Sequence, residues 1–201
     1  MNRFFTLFLL AYLIPFEGFS QSMGYVNHTE VGLLVGEIID HDKRVNFSFQ
    51  SFNGVRPHPH HEIGFLIGWD TYPGFSLVPF ALGWRGILKT GTRTSPYASM
   101  DIGYGSAWIG RRTRENQMES WYQGGLLISP AIGIRRKSKN GGHAFSWSLG
   151  FKKQNASFLE GRRSQGFAGS TIDSPLPPGF ISLRKESYIF NSLFIKWGVV
   201  F

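Results

Sequence analysis

Three histidines crowd one short stretch, His58-Pro59-His60-His61, while His28, His41 and His143 stand elsewhere in the chain. Imidazoles two and three residues apart are spaced to chelate zinc or copper. Such a site needs further ligands. The sequence has no cysteine, and Glu62 is the one carboxylate beside the cluster. A Pro-containing turn carrying solvated histidines accounts for the same residues, so no metal and no cofactor is expected. Acid–base or nucleophilic chemistry meets a similar limit. His28 and Glu30 share a face of any extended strand, but His143 and Ser146 differ by an odd number and point apart. No Gly-x-Ser-x-Gly elbow is present. The expectation is a non-enzymatic protein.

Charge offers a second kind of chemistry. Lys and Arg number 21 against 13 Asp and Glu, a net charge of +8 and a pI near 9.9. Arg111, Arg112, Arg114, Arg162, Arg163, Arg184 and Lys185 gather in stretches between apolar segments. Guanidinium groups pair with phosphate through two parallel hydrogen bonds. Nucleic acid is the general partner of a basic chain, but the N-terminus argues for export, where nucleic acid is rarely met.

Residues 1–20 read as a secretory signal peptide. Arg3 is the positive start, Phe4 to Ile14 the apolar core, and Gly18-Phe19-Ser20 a small-residue cleavage site before Gln21. A spanning helix needs about 20 apolar residues, and Glu17 interrupts this run. Removing the segment takes one charge of each sign. No later apolar run reaches spanning length. An exported chain without such a run is either soluble or a closed β-barrel.

The elements that must position these residues are strands. Residues 21–201 contain about eight segments in which apolar side chains recur at every second position. They run Tyr25 to Gly36, Arg44 to Gly54, His61 to Asp70, Phe75 to Leu88, Arg93 to Gly110, Trp121 to Arg136, Ala144 to Gln154 and Ser187 to Phe201. One face is bulky: Val31, Leu33 and Val35 in the first, Ile63, Phe65, Ile67 and Trp69 in the third, Phe145, Trp147, Leu149 and Phe151 in the seventh. The other face is small with scattered charge. A soluble sandwich or lipocalin would do the reverse, packing its bulky face inside and covering the outside with Lys, Glu and Thr. The expected fold is therefore all-β, an eight-stranded antiparallel up-and-down transmembrane β-barrel with the bulky face towards lipid. Trp69, Trp84, Trp108, Trp147, Trp197 and Tyr104 then belong to its outer wall. Eight strands of about 9–11 residues fill the chain.

An even strand count puts both termini on one side. The outer loops become Glu37 to Lys43, Thr71 to Gly74, Arg111 to Ser120 and Asn155 to Glu186; the inner turns become Val55 to His60, Lys89 to Thr92 and Lys137 to His143. The longest connection falls outside, as in outer-membrane barrels. Thr71 to Gly74 is short for that scheme.

The runs Glu62-Ile63-Gly64-Phe65-Leu66-Ile67-Gly68-Trp69-Asp70, Leu77-Val78-Pro79-Phe80-Ala81-Leu82-Gly83-Trp84-Arg85, Ser95-Pro96-Tyr97 and Asp101-Ile102-Gly103-Tyr104-Gly105 come in this order. Ser129-Pro130-Ala131-Ile132-Gly133 and Ser148-Leu149-Gly150-Phe151-Lys152 follow. Together they resemble small outer-membrane β-barrel proteins common in Bacteroidota-type bacteria, in the manner of OmpA- or OmpX-like barrels. The ending Trp197, Val199, Phe201 resembles the signal read by the barrel-assembly machinery. The resemblance spans nearly all of residues 21–201. It implies a bacterial outer-membrane location with both termini periplasmic, and carries over no catalytic residue.

An eight-stranded barrel is wide enough only for side chains to fill it, and buried charges must be paired. Glu30, Glu62, Arg85, Asp101, Arg135, Lys152 and Lys196 fall on the inner face and are expected to form a closing charge network. The expected role is structural or surface-interacting, with the loop cations on lipopolysaccharide phosphate. A narrow solute channel, a lipid-modifying enzyme and a soluble ligand-binding barrel stand as alternatives.

Overall fold

Alternation leaves the chain one economical way to sort its side chains, which is a sheet. The computed structural model describes residues 23–37, 43–107, 112–139, 142–163, 176–177 and 179–201. The expected signal peptide, His41, Trp108 and Arg111 lie outside the described residues. Among the described residues there are ten strands and no helix: β1 (Gly24–Glu37), β2 (Lys43–His58), β3 (His61–Tyr72), β4 (Phe75–Ile87), β5 (Thr94–Ser106), β6 (Thr113–Glu115), β7 (Met118–Gln123), β8 (Gly125–Lys137), β9 (Ala144–Arg163) and β10 (Phe180–Val200).

Eight of them close a ring. Each of β1, β2, β3, β4, β5, β8, β9 and β10 pairs antiparallel with its neighbour in that order. β10 returns to β1, from His28 opposite Val200 to Gly36 opposite Ser192. The protein is thus an all-β, eight-stranded antiparallel up-and-down barrel. The start of β1, the end of β10 and the β2–β3, β4–β5 and β8–β9 connections lie at one rim, the terminal rim. Prolines 79 and 130 sit inside ring strands, where a missing N–H removes a ladder bond. Pairing skips there: β3–β4 lacks Val78 and Pro79, and β8–β9 lacks Ser129 and Pro130.

Four boundaries differ from the expectation. β2 continues to His58, leaving Pro59 and His60 as a two-residue turn. The short outer connection is likewise a two-residue hairpin, Pro73-Gly74. Proline presets φ for such a turn and Gly74 takes the positive φ, 82°, that the next position requires. The Arg111–Ser120 loop contains the β6–β7 hairpin. Most of the far-reaching change concerns Asn155–Glu186, which was expected to be an irregular loop. There β9 runs on to Arg163 and β10 starts at Phe180, so the two strands rise past the ring as a ribbon. β7 and β6 add to its β9 edge.

The expected sixth strand is split at Gly124. β8 meets β9 with Leu127 opposite Gln154, whereas β7 meets it with Gln123 opposite Ser157, a slip of one residue. A one-residue slip exchanges the faces of a strand. Gln123, expected on the inner face, is exposed, and Tyr122 instead stacks on Phe75 with ring centroids 4.3 Å apart. A Cβ on Gly124 would run into the Gly105 carbonyl, so only glycine lets β5 and the slipped strand close. Gly124→Ala is expected to cost about 1–3 kcal/mol, read as a lower urea midpoint in detergent micelles. Gly142→Ala, where a Cβ meets nothing within 4 Å, should leave the midpoint unchanged.

The lumen charge network as candidate functional site

Strand parity decides which side chains enter the lumen. From Glu62, even positions of β3 point inward, which brings in Asp70; from Gln50, even positions of β2 bring in Ser48 and Arg44. Odd positions of β5 and β8 bring in Tyr97, Asp101 and Arg135. Glu30, Glu62, Arg85, Asp101, Arg135, Lys152 and Lys196 are all buried. Asp70 and Arg44 join them, which sequence reading left out although the same alternation places them.

Glu62 is the most heavily engaged group and is 0% exposed. Arg135 binds it through two parallel bonds, Nη1 to Oε1 and Nη2 to Oε2, both 2.9 Å. Arg56, reaching in from the terminal rim, gives Oε1 two more from Nε (3.0 Å) and Nη2 (2.6 Å). His28 Nε2 lies 2.8 Å from Oε2 and 3.0 Å from Arg135 Nη2. A guanidinium only donates, so Nε2 cannot both accept from Arg135 and donate to Glu62. With Nε2 protonated, His28 donates to the carboxylate and leaves only an unpaired Nδ1 lone pair. The opposite tautomer would strand a buried N–H, the costlier arrangement. His28 therefore partners Glu62, and not Glu30 on its own strand.

Two further pairs fill the middle and far end. Arg85 Nη1 reaches Asp101 Oδ1 at 2.6 Å and its guanidinium lies 4.4 Å from the centre of the Phe52 ring. Lys152 pairs with Asp70, whose other oxygen accepts from the Ser48 hydroxyl at 2.6 Å. Among the described residues no carboxylate pairs with Lys196; its Nζ donates to Gln50 Oε1 at 2.6 Å and sits 3.9 Å above Phe194. The Glu30 stem lies against Gly198, and its charge acts on Arg85 and Lys196. Arg44 donates to Asn46, Ser192 and the Asn191 carbonyl, under the rings of Tyr72 and Phe190.

The lumen is not charged throughout. Val26, Phe52, Ala144 and Val200 cluster by the terminal rim, Leu66, Ala81 and Leu127 in the middle, and Leu34, Tyr72, Leu77, Ala156 and Phe194 towards the ribbon. The expectation of a uniformly small, charged inner face missed these groups because the bulky face dominated the pattern. Ion pairs and apolar clusters alternate along the lumen.

Other candidate residues are dispersed. The His58 and His60 rings stack at 5.5 Å, His61 lies 5.7 Å from His58, and His60 Nδ1 is 2.7 Å from the Ile87 carbonyl. Among the described residues no three His, Asp or Glu side chains are placed to hold a metal. Ser146 is buried, whereas the His143 ring packs by Phe145 and Phe201. On the ribbon, Arg112 and Arg163 both pair with Glu119, and Arg184 pairs with Glu186 at 2.6 Å. Arg162 Nε donates to the Gln117 amide oxygen at 3.4 Å. Arg114 and Lys185 are exposed with no ion-pair partner among the described residues. Arg114, Arg162 and Arg163 share a cleft of about 950 Å³ with Gln117 and Ser182. At the chain end, the Trp197 ring meets Trp147 edge-on at 5.8 Å, and the Phe201 backbone exchanges hydrogen bonds with Asn27.

No protein-family model and no curated protein matches this sequence. Around Glu62 the arrangement is one carboxylate held by Arg135, Arg56 and His28.

Removing one partner of a buried pair leaves a bare charge, while replacing both with apolar groups is often neutral. Asp70→Leu and Lys152→Met should each destabilise the barrel by about 3–5 kcal/mol, and the double variant should recover most of that loss. Equilibrium unfolding of all four forms in micelles measures this. Additive single effects would mean the two side chains are not coupled.

Proposed function

We propose that this protein is an outer-membrane barrel with a closed lumen, and that its role in the bacterial envelope is structural and surface-interacting rather than enzymatic. The observation carrying this reading is the inverted polarity of the wall. Leu82, Phe65, Ile132 and Leu193 are each more than 60% exposed, whereas Glu62, Asp70 and Lys152 are wholly buried. Soluble monomers rarely expose an apolar patch above about 300–600 Å². Here the exposed bulky residues come from every strand of the ring. Burying such surface is favourable by about 25 cal/mol per Å², and lipid is the medium that covers a whole barrel wall. Ring strands of 12 to 21 residues exceed the roughly 9–11 that a tilted membrane strand needs.

Exposed Trp69, Trp84, Trp147 and Trp197 suit the lipid–water boundary. In this reading both termini are periplasmic and the ribbon stands outside the cell. Trp197, Val199 and Phe201 present an apolar edge to the barrel-assembly machinery. The cleft of Arg114, Arg162 and Arg163 faces lipopolysaccharide phosphates, the anions available at that surface. Buried ion pairs and apolar clusters along the lumen argue against a solute path.

Cell fractionation tests location, and gel mobility of unboiled against boiled samples tests closure. The expected outcome is an outer-membrane band whose mobility changes on boiling, with no stable conductance steps in planar bilayers. Release into the periplasm would overturn the membrane assignment, and large reproducible steps would overturn the closed lumen. Exchanging Arg114, Arg162 and Arg163 for Gln together should lower lipopolysaccharide co-purification several-fold; an unchanged yield would remove that partner from the account.

A further inference from the structure

A cavity of about 460 Å³ opens at the terminal rim, among the ends of β2, β4, β5 and β8. Arg56, His58, Ser95, Arg135 and Lys137 line it. Its charge is one-sided. The carboxylate beneath, Glu62, already receives four Arg N–H bonds as well as His28, and a carboxylate offers about four acceptor positions. It has no capacity left for another cation. Lys137 is exposed with no ion-pair partner among the described residues, and Arg56 is 42% exposed. Arg135 supplies the second observation. Its side chain is 6% exposed, yet Nε is buried and has no hydrogen-bond partner. Buried guanidinium N–H groups nearly always find an acceptor.

We propose that this mouth is an oxyanion-binding site, taking a phosphate or carboxylate group carried by a small soluble molecule. Arg56 and Lys137 attract the anion, the first through a planar fork and the second as a point charge. The Ser95 hydroxyl meets it deeper in the cavity, where the largely buried Arg135 guanidinium adds positive charge to the wall. The volume falls in the range of about 300–1,000 Å³ typical of small-molecule sites, so a carrier larger than bare phosphate fits. Only the compartment on which the mouth opens rests on the membrane reading; the site does not.

The test is arginine Nε–H NMR on the folded barrel in micelles, titrated with inorganic phosphate at constant ionic strength. The expected result is a saturable shift of the Arg135 signal. Arg56→Gln with Lys137→Gln should weaken binding at least tenfold. Lys137→Gln alone, an exposed change that folding tolerates, should weaken it about threefold. No shift, equal affinity in both variants, or the same response to chloride would overturn the proposal. In phosphatidylglycerol nanodiscs without free phosphate, an unshifted Arg135 signal supports a soluble ligand. A phosphate-like shift there would assign the site to a lipid headgroup and overturn the soluble source. A protein that binds phosphate but stays soluble would keep this site and lose the membrane reading.

Discussion

Everything in this molecule depends on the nine-residue pairing of β1 with β10. Without it the remaining strands form an open sheet, with unpaired backbone groups along two long edges. With it, every ring strand has two neighbours, and the words inside and outside acquire meaning. Closure also sets the width of the lumen. Eight strands leave a space that side chains fill, so whatever faces inward must pack and be satisfied locally. Gly124 and Pro73-Gly74 serve the same closure, the first by permitting a close approach and the second by returning the chain in two residues.

The interior meets that demand in an uneven way. Acids and bases at the terminal end converge on Glu62, with three side chains sharing one carboxylate. Nearer the ribbon, Asp70 and Lys152 form a simpler pair. Between and around them sit aliphatic and aromatic plugs. Ion pairs buried this deeply are weak contributors to stability when compared with apolar replacements. Their effect here is on register: a strand slipped by one residue would carry its charges to the outer wall and its bulky side chains into the lumen. Apolar clusters separate one set of these charges from the next.

Much of this was legible in the chain. Residues such as Phe65, Leu82 and Trp147 fall at every second position beside Gly, Ser and charge, which gives strands, faces and strand number at once. Inner-face charges follow from the same parity. Asp70 obeys it too and was lost only because it closes a strand, beside a turn. Other features were hidden for physical reasons. Asn155, Ser157 and Arg162 read as loop because the ribbon stands clear of the bulky wall and has no reason to alternate. The slip at Gly124 depends on how closely β5 approaches, which no local pattern encodes. The partnership of His28 with Glu62, 34 residues away, needed the register of three strands.

The central claim is that the bulky wall meets lipid and the charges face inward. Quenching by brominated lipids measures it directly, using single-tryptophan forms of the reconstituted barrel. The account predicts strong quenching of Trp69, Trp84, Trp147 and Trp197, and little for Trp121 on the ribbon. Uniformly weak quenching at all five positions would contradict it, and would mean that the outer wall is covered by something other than a bilayer.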